Sequence, residues 1–223
     1  MVATFKSIFL TTLRDPRQGT RDVIGLNLPV QGLWIVLLLV AVVLALFASG
    51  SIQMAYLATE QLSQSPQVIL DDQTGAAAPN EELPDWLVPP LFADAPILMA
   101  IMNWFQAAVT VYVLHWISRM VGGQGELNDM LAAVIWVQVV TLLMGFVLLL
   151  VAIVIPPVGA LGLLLLFFWG IWAFVGGVDA ASGFGSLFKA FGVCVAALLA
   201  LSFISTTVIS ILGVMGIGGL PNV

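Results

Sequence analysis

Two sets of amide and hydroxyl side chains lie inside long apolar stretches of this 223-residue chain. Asn103, Gln106 and Thr110 follow one another at spacings of three and four residues, and Gln138 and Thr141 are three residues apart. On a helix these spacings bring side chains to one face. Such groups hydrogen-bond to one another between neighbouring helices, or they line a polar cavity for a small solute. We therefore take the five residues as a candidate polar cluster, and both roles stay open.

Residue types that support catalysis or metal binding are sparse. The chain has one histidine, His115, and one cysteine, Cys194, which lies in an apolar run as a small core residue. Ser182 precedes a glycine in a weak serine-nucleophile pattern, but it falls in a predicted polar link, and its one candidate base is His115. Glu81 and Glu82 form an acidic pair without a nearby histidine. We predict no catalytic residue, no metal site and no cofactor, and no acidic residue falls inside a predicted span.

The composition of the chain is that of a membrane protein. Hydrophobic residues make up 61% of it and charged residues only 8%, and a soluble domain has no core that could bury so much apolar surface. The net charge of −6 does not favour nucleic acid as a partner. We therefore predict that the chain is embedded in the lipid bilayer.

Five apolar runs are long enough to cross a hydrocarbon core as helices, which takes about 20 residues. A continuous helix from Met130 to Val178 would be about 73 Å long, so the chain must fold back at Pro156–Gly159. The second and third runs form a hairpin around the Gly122–Asp129 link, where glycines end one helix and Asn128 or Asp129 caps the next. The predicted spans are about 30–57, 96–120, 130–155, 158–178 and 190–215.

A basic segment, residues 1–29, precedes the first span. Its apolar residues at helical spacing are Phe5, Ile8, Phe9 and Leu13. They predict a short amphipathic helix that lies in the membrane interface with its apolar side toward lipid. Asp15 and Pro16 then predict the start of a second short helix. The predicted fold class is all-α: a polytopic transmembrane bundle of five helices over residues 30–216, with an interfacial amphipathic helix at the N-terminus.

The charges are divided between the two ends of the spans. With five crossings, all six cations share one side: Lys6, Arg14, Arg17, Arg21, Arg119 and Lys189. The long loop 59–95 on the other side carries seven acidic residues and no cation. Lys and Arg favour the cytoplasmic side, so we predict a cytoplasmic N-terminus and a C-terminus on the opposite side. Short external turns and spans rich in alanine, valine and leucine suit a bacterial inner membrane, which makes the opposite side periplasmic.

The chain resembles the Yip family, membrane proteins named for binding Ypt/Rab GTPases in eukaryotes and with many bacterial members. The resemblance rests on five spans with a long first external loop, on Pro16 and Arg17, and on Gly122, Gly123 and Gly125 after the second span. The chain lacks the Asp-Leu-Tyr-Gly-Pro run of eukaryotic members and a proline in the first half of span three. The resemblance implies a non-enzymatic membrane organiser or adaptor that contacts other integral membrane proteins, and Rab binding is not carried over.

Span five carries a group of hydroxyl side chains. They are Ser202, Ser205, Thr206, Thr207 and Ser210. Small and hydroxyl residues let helices approach closely, so this span predicts a packing surface, either within the chain or toward a partner or a second copy. The alternative function is a small-solute permease or channel that uses the candidate polar cluster.

Overall fold

The computed structural model describes the backbone of residues 2–64 and 96–214, and the side chains of 5–50, 97–207 and Ser210. Seven helices follow one another in these residues. They are α1 (Val2–Arg14), α2 (Pro16–Ile24), α3 (Val30–Gln64), α4 (Pro96–Met120), α5 (Leu127–Val154), α6 (Pro156–Ser182) and α7 (Leu187–Val214). Five of them, α3 to α7, are long and apolar enough to cross a membrane. The predicted all-α class with five membrane spans is confirmed.

The helix ends differ from the predicted spans by a few residues. The helix α3 continues to Gln64, beyond the predicted end near residue 57, and α6 continues to Ser182, beyond the predicted end near 178. The extension of α6 places Asp179 inside a helix. The predicted acidic loop lies outside the described residues from 65 to 95, and so does the C-terminal tail from 215 onward.

The chain divides into two compact units, Met1–Val40 with Gln106–Val223, and Ala41–Phe105. The second unit contains the C-terminal part of α3 and the N-terminal part of α4. In it the Ser49 hydroxyl donates to the Met99 sulfur over 3.7 Å, and buried alanines from both helices lie in its interior. Small buried residues allow the two helices to pack closely.

In the first unit, α5 and α6 form an antiparallel hairpin, with α7 packed on α6. Only Ile155 separates α5 from α6. Pro156 follows at the first position of α6, where a missing N–H leaves no hydrogen bond unmade. The predicted reversal at Pro156–Gly159 is confirmed.

The two short helices α1 and α2 pack against the end of this hairpin where α5 begins and α6 ends. Asp15 caps α2, because its Oδ1 accepts the Gln18 N–H over 3.1 Å and Pro16 takes the first helical position. This start of α2 agrees with the sequence prediction. We call this end of the first unit the basic end, since it carries all six Lys and Arg residues of the chain.

The apolar side of α1 faces protein. Ile8 of α1 and Val23 of α2 join Trp136 and Val140 of α5 in one buried cluster. Phe9 and Leu13 pack against that cluster together with Met144 and Trp169. The sequence identified the apolar side correctly but directed it toward lipid. Its actual neighbour is the hairpin of α5 and α6, whose buried surface at this end includes small residues that α1 and α2 can approach.

Candidate functional site

A buried ion pair joins α2 to α6 at the basic end. Arg17 lies in the first turn of α2, and its Nε contacts Oδ2 of Asp179 in the last turns of α6. The Asp179 side chain is completely buried, whereas 30% of the Arg17 side chain is exposed. An unpaired carboxylate is costly in apolar surroundings, so α6 can continue through Asp179 because Arg17 supplies the counter-charge. The expectation that no acidic residue lies inside a span is therefore wrong at Asp179.

The second oxygen of this carboxylate holds the start of α7. Asp179 Oδ1 accepts the Ser186 N–H over 2.9 Å, and Ser186 directly precedes α7. The positive end of the α7 dipole favours a negative charge at this place. Gly183, which ends α6, donates its N–H to the Asp179 carbonyl over 3.0 Å. One residue thus connects α2, the end of α6 and the start of α7.

The link between α4 and α5 docks on the same end of α6. Gln124 donates its N–H to the Ser182 carbonyl over 3.0 Å. Gly125 lies so close to α6 that a Cβ on it would be 1.7 Å from the Ala181 carbonyl oxygen. Gly122 has a φ of +92°, in the left-handed region that favours glycine. The glycines of the link are thus required by backbone conformation and by close approach.

The same link ends α4 and begins α5. Gly123 donates its N–H to the Ser118 carbonyl over 2.8 Å, which satisfies a carbonyl at the end of α4. At the start of α5, Asp129 accepts the Glu126 N–H over 3.0 Å. The glycine helix end is as predicted. The prediction that Asn128 or Asp129 caps α5 is wrong, because Glu126 is the cap residue and Asp129 bonds back to it from the third position of the helix.

Two indole groups attach α1 to the hairpin. Trp136 donates its Nε1–H to the buried Thr12 hydroxyl over 2.9 Å, and that hydroxyl donates to the Ile8 carbonyl over 2.8 Å. Trp169 donates its Nε1–H to the Leu13 carbonyl over 3.4 Å. A buried indole N–H needs an acceptor, so these bonds give α1 a fixed position on α5 and α6.

All five residues of the family resemblance lie at the basic end. Pro16 Cβ and the Arg17 nitrogen are 3.6 Å and 3.4 Å from the position that a Cβ on Gly176 would take, so the start of α2 rests on a glycine of α6. Gly125 lets the α4–α5 link approach that same helix end, whereas Gly122 and Gly123 shape the link where it leaves α4. We call this group the α6-end cluster. Its members are Pro16, Arg17, Gly122, Gly123, Gly125, Gly176, Asp179, Ser182 and Ser186.

The residues weighed for catalysis do not assemble. Ser182 is buried, and its hydroxyl has no hydrogen-bond partner among the described residues, His115 included. A serine nucleophile requires a base within hydrogen-bond reach. Cys194 is buried in α7. Over residues 2–64 and 96–214, no group of three His, Cys, Asp or Glu side chains is placed to hold a metal ion.

The candidate polar cluster is distributed over both units. Asn103 belongs to the second unit and the other four residues to the first. Thr110 donates its hydroxyl to the Gln106 carbonyl of its own helix over 2.8 Å. Gln138 is half-buried, and Thr141 lines an apolar cavity of about 510 Å³ between α5, α6 and α7. Within the described part of the first unit, no hydrogen bond joins the α4 residues to the α5 residues.

Sequence reasoning missed Asp179, Thr12 and Trp136 as site residues. A signal existed for Asp179, since it ends a long apolar run on the side predicted to hold every cation, and a carboxylate there needs a positive partner. The indole N–H of Trp136 likewise needs an acceptor inside a span. The acceptor, Thr12, is 124 residues away along the chain, and no local pattern identifies a contact over that distance.

The fold and the α6-end cluster define a polytopic α-helical membrane protein whose basic end is fixed by buried polar contacts. The family model of the Yip1 domain matches residues 10–209. This chain belongs to the Yip1 family, as the resemblance indicated. No curated protein and no solved structure shows a significant match to it.

Proposed function

We propose that this chain is a non-enzymatic organiser or adaptor of the membrane, which acts by contacting other integral membrane proteins or a second copy of itself. The observation that carries the proposal is the outward face of α7. Ser202 and Thr206 are exposed on it, and α7 packs in the first unit against α6. A membrane helix with an exposed row of hydroxyl residues is suited to pack against another membrane helix.

Three hydroxyl groups on α7, those of Thr206, Thr207 and Ser210, donate to carbonyls of their own helix. Thr206 donates to the Ser202 carbonyl and Ser210 to the Thr206 carbonyl, each over 2.8 Å. These bonds lower the cost of exposing the donating hydroxyl groups to lipid while the face is unoccupied. These properties favour reversible association over a permanent subunit contact.

The basic end provides the second surface of the proposed organiser. Arg14 and Arg21 are exposed on α1 and α2, and the α6-end cluster holds these helices in place. The distribution of cations supports a cytoplasmic position for this end in a bacterial inner membrane, with the C-terminus in the periplasm. A folded basic surface beside the membrane is suited to the acidic segments of neighbouring proteins.

The association experiment changes the α7 face. Replacing Ser202 and Thr206 together with Leu leaves the helix apolar but fills the space that a second helix needs. We expect fewer co-purifying membrane proteins, or fewer subunits per complex, in mild detergent. Replacing Leu164 with Ile, on the exposed side of α6, is the matched control and should change neither. Unchanged association in the α7 variant would reject this face.

A flux experiment addresses the permease alternative. Gln106 and Gln138 are replaced with Leu, singly and together, and solute uptake into vesicles is measured beside partner recovery. The organiser proposal expects partner recovery to persist and no solute flux to depend on either glutamine. Flux that collapses in a folded variant with intact partners would favour a permease.

A further inference from the structure

A cavity of about 560 Å³ lies at the basic end, between α1, α2, the start of α3 and the start of α5. Its floor is formed by buried apolar side chains. They include Ile8, Val23, Leu33, Ala132, Ile135 and Trp136. Its rim is formed by exposed apolar side chains, Phe5, Leu26, Leu28 and Val36. All of these residues belong to the first unit.

The lining selects the kind of occupant. Water needs two to four polar partners to enter a cavity, and this lining is almost entirely hydrocarbon and aromatic. The cavity follows α5 from Ala132 to Val139, which is about 10 Å along a helix axis. It therefore extends from the membrane interface toward the hydrocarbon core. In that region a lipid acyl chain is the molecule that can fill it.

The charges beside the cavity select the headgroup. Lys6 follows the rim residue Phe5 on α1, and Arg21 lies in the last turn of α2, the helix that leads to the rim residue Leu26. Both cations are exposed, and neither forms an ion pair among the described residues. A lipid whose chain enters this cavity brings its phosphate to the ends of α1 and α2, where Lys6 and Arg21 can reach it.

We propose that the cavity binds one anionic phospholipid, with an acyl chain against Trp136 and the phosphate between Lys6 and Arg21. The site is separate from the α7 face of the proposed organiser function, and either can fail without the other. Because α1 and α2 form one wall of the cavity, a bound lipid chain also packs against these two helices.

The experiment measures lipid retained by the purified full chain. The protein is freed of lipid in mild detergent, given phosphatidylglycerol or phosphatidylcholine with identical chains, and weighed intact by native mass spectrometry. We expect one phosphatidylglycerol per chain and preference over phosphatidylcholine of about fivefold for each cation near the phosphate. Equal retention of the two lipids by the wild type would overturn the proposal.

Two kinds of variant separate the chain site from the headgroup site. Lys6→Gln with Arg21→Gln should remove the preference while some lipid remains bound, and Arg119→Gln, at the end of α4, should keep it. Ala132→Phe fills the floor and should abolish retention of both lipids, whereas Leu198→Phe, in the separate cavity along α7, should not.

A third variant covers misfolding. If Ala132→Phe loses helicity by circular dichroism, Val36→Phe at the exposed rim replaces it as the filling variant. Full lipid retention by a folded filling variant would overturn the site, and so would a preference that survives loss of both cations.

Discussion

The ion pair between Arg17 and Asp179 predicts an unequal response to removal of its two partners. Arg17→Gln leaves a completely buried carboxylate without a counter-charge, and losing one partner of a buried pair costs about 3–5 kcal/mol. Asp179→Asn leaves an arginine that is 30% exposed and can be hydrated. Asn also keeps an oxygen for the Ser186 N–H. We expect Asp179→Asn to cost about 1.5–3 kcal/mol, the value of a hydrogen bond to a charged group.

The double variant provides a stricter measure of the same pair. Arg17→Gln with Asp179→Asn places two neutral amides together and leaves no buried charge. We expect its loss of stability to be no larger than that of Arg17→Gln alone. The coupling energy of the cycle is then at least about 1.5 kcal/mol, inside the range of about 0.5–3 kcal/mol measured for contacting residues.

The assay is reversible unfolding in mixed micelles with increasing denaturing detergent, supported by thermal melts. At about 2–4 °C per kcal/mol for a chain of this size, Arg17→Gln should melt about 10 °C below the wild type. Arg14→Gln is the matched control, because Arg14 is exposed and pairs with no carboxylate among the described residues. Additive losses in the double variant, or a larger loss from Asp179→Asn than from Arg17→Gln, would refute the reasoning.

Three further predictions concern the link, the indole bond and the topology. Gly125→Ala puts a Cβ 1.7 Å from the Ala181 carbonyl oxygen and should cost at least about 2 kcal/mol of stability, because the new atom is overpacked against backbone. The control Gly192→Ala has open space at its Cβ position and should cost nothing. Equal melting temperatures for the two variants would contradict this prediction. Trp136→Phe loses the bond to α1 and should cost about 1 kcal/mol in the same unfolding assay, whereas the exposed Trp172→Phe should stay near wild type. Protease-accessible tags on the two termini should lie in opposite compartments, so protease added on one side of the membrane should cleave only one of them. Cleavage of both tags, or of neither, from one side would reject the five-span topology.

Sequence alone predicted the features that depend on short stretches of chain. A run of about 20 apolar residues suffices for a membrane span whatever lies beside it, and the breaks at Gly122 and Pro156 follow from local backbone chemistry. The family resemblance also depended on short motifs. The five spans and their turns were therefore accessible before any contact was known.

Helix neighbours were much harder to predict. A span that is apolar on every side shows no amphipathic face to indicate its partner. The polar residues of the second and third spans left hydrogen bonds between α4 and α5 as one of two open roles. Instead, α5 packs on α6 and α2. For α1, an apolar side fits lipid and fits a protein surface equally well. The choice is made by contacts with distant parts of the chain, such as the bond from Trp136 to Thr12 and the cluster around Ile8.

The residues of the family resemblance are occupied with assembly. Arg17 neutralises Asp179, Gly125 lets the link touch α6, and Gly122 supplies a backbone conformation that other residues disfavour. None of these tasks leaves a group free to select a partner. If members of the family share this basic end because it holds their helices together, then what distinguishes this chain must be carried by residues that the assembly does not consume. The exposed hydroxyl face of α7 and the cations Lys6 and Arg21 on α1 and α2 meet that condition, because neither takes part in holding the basic end together.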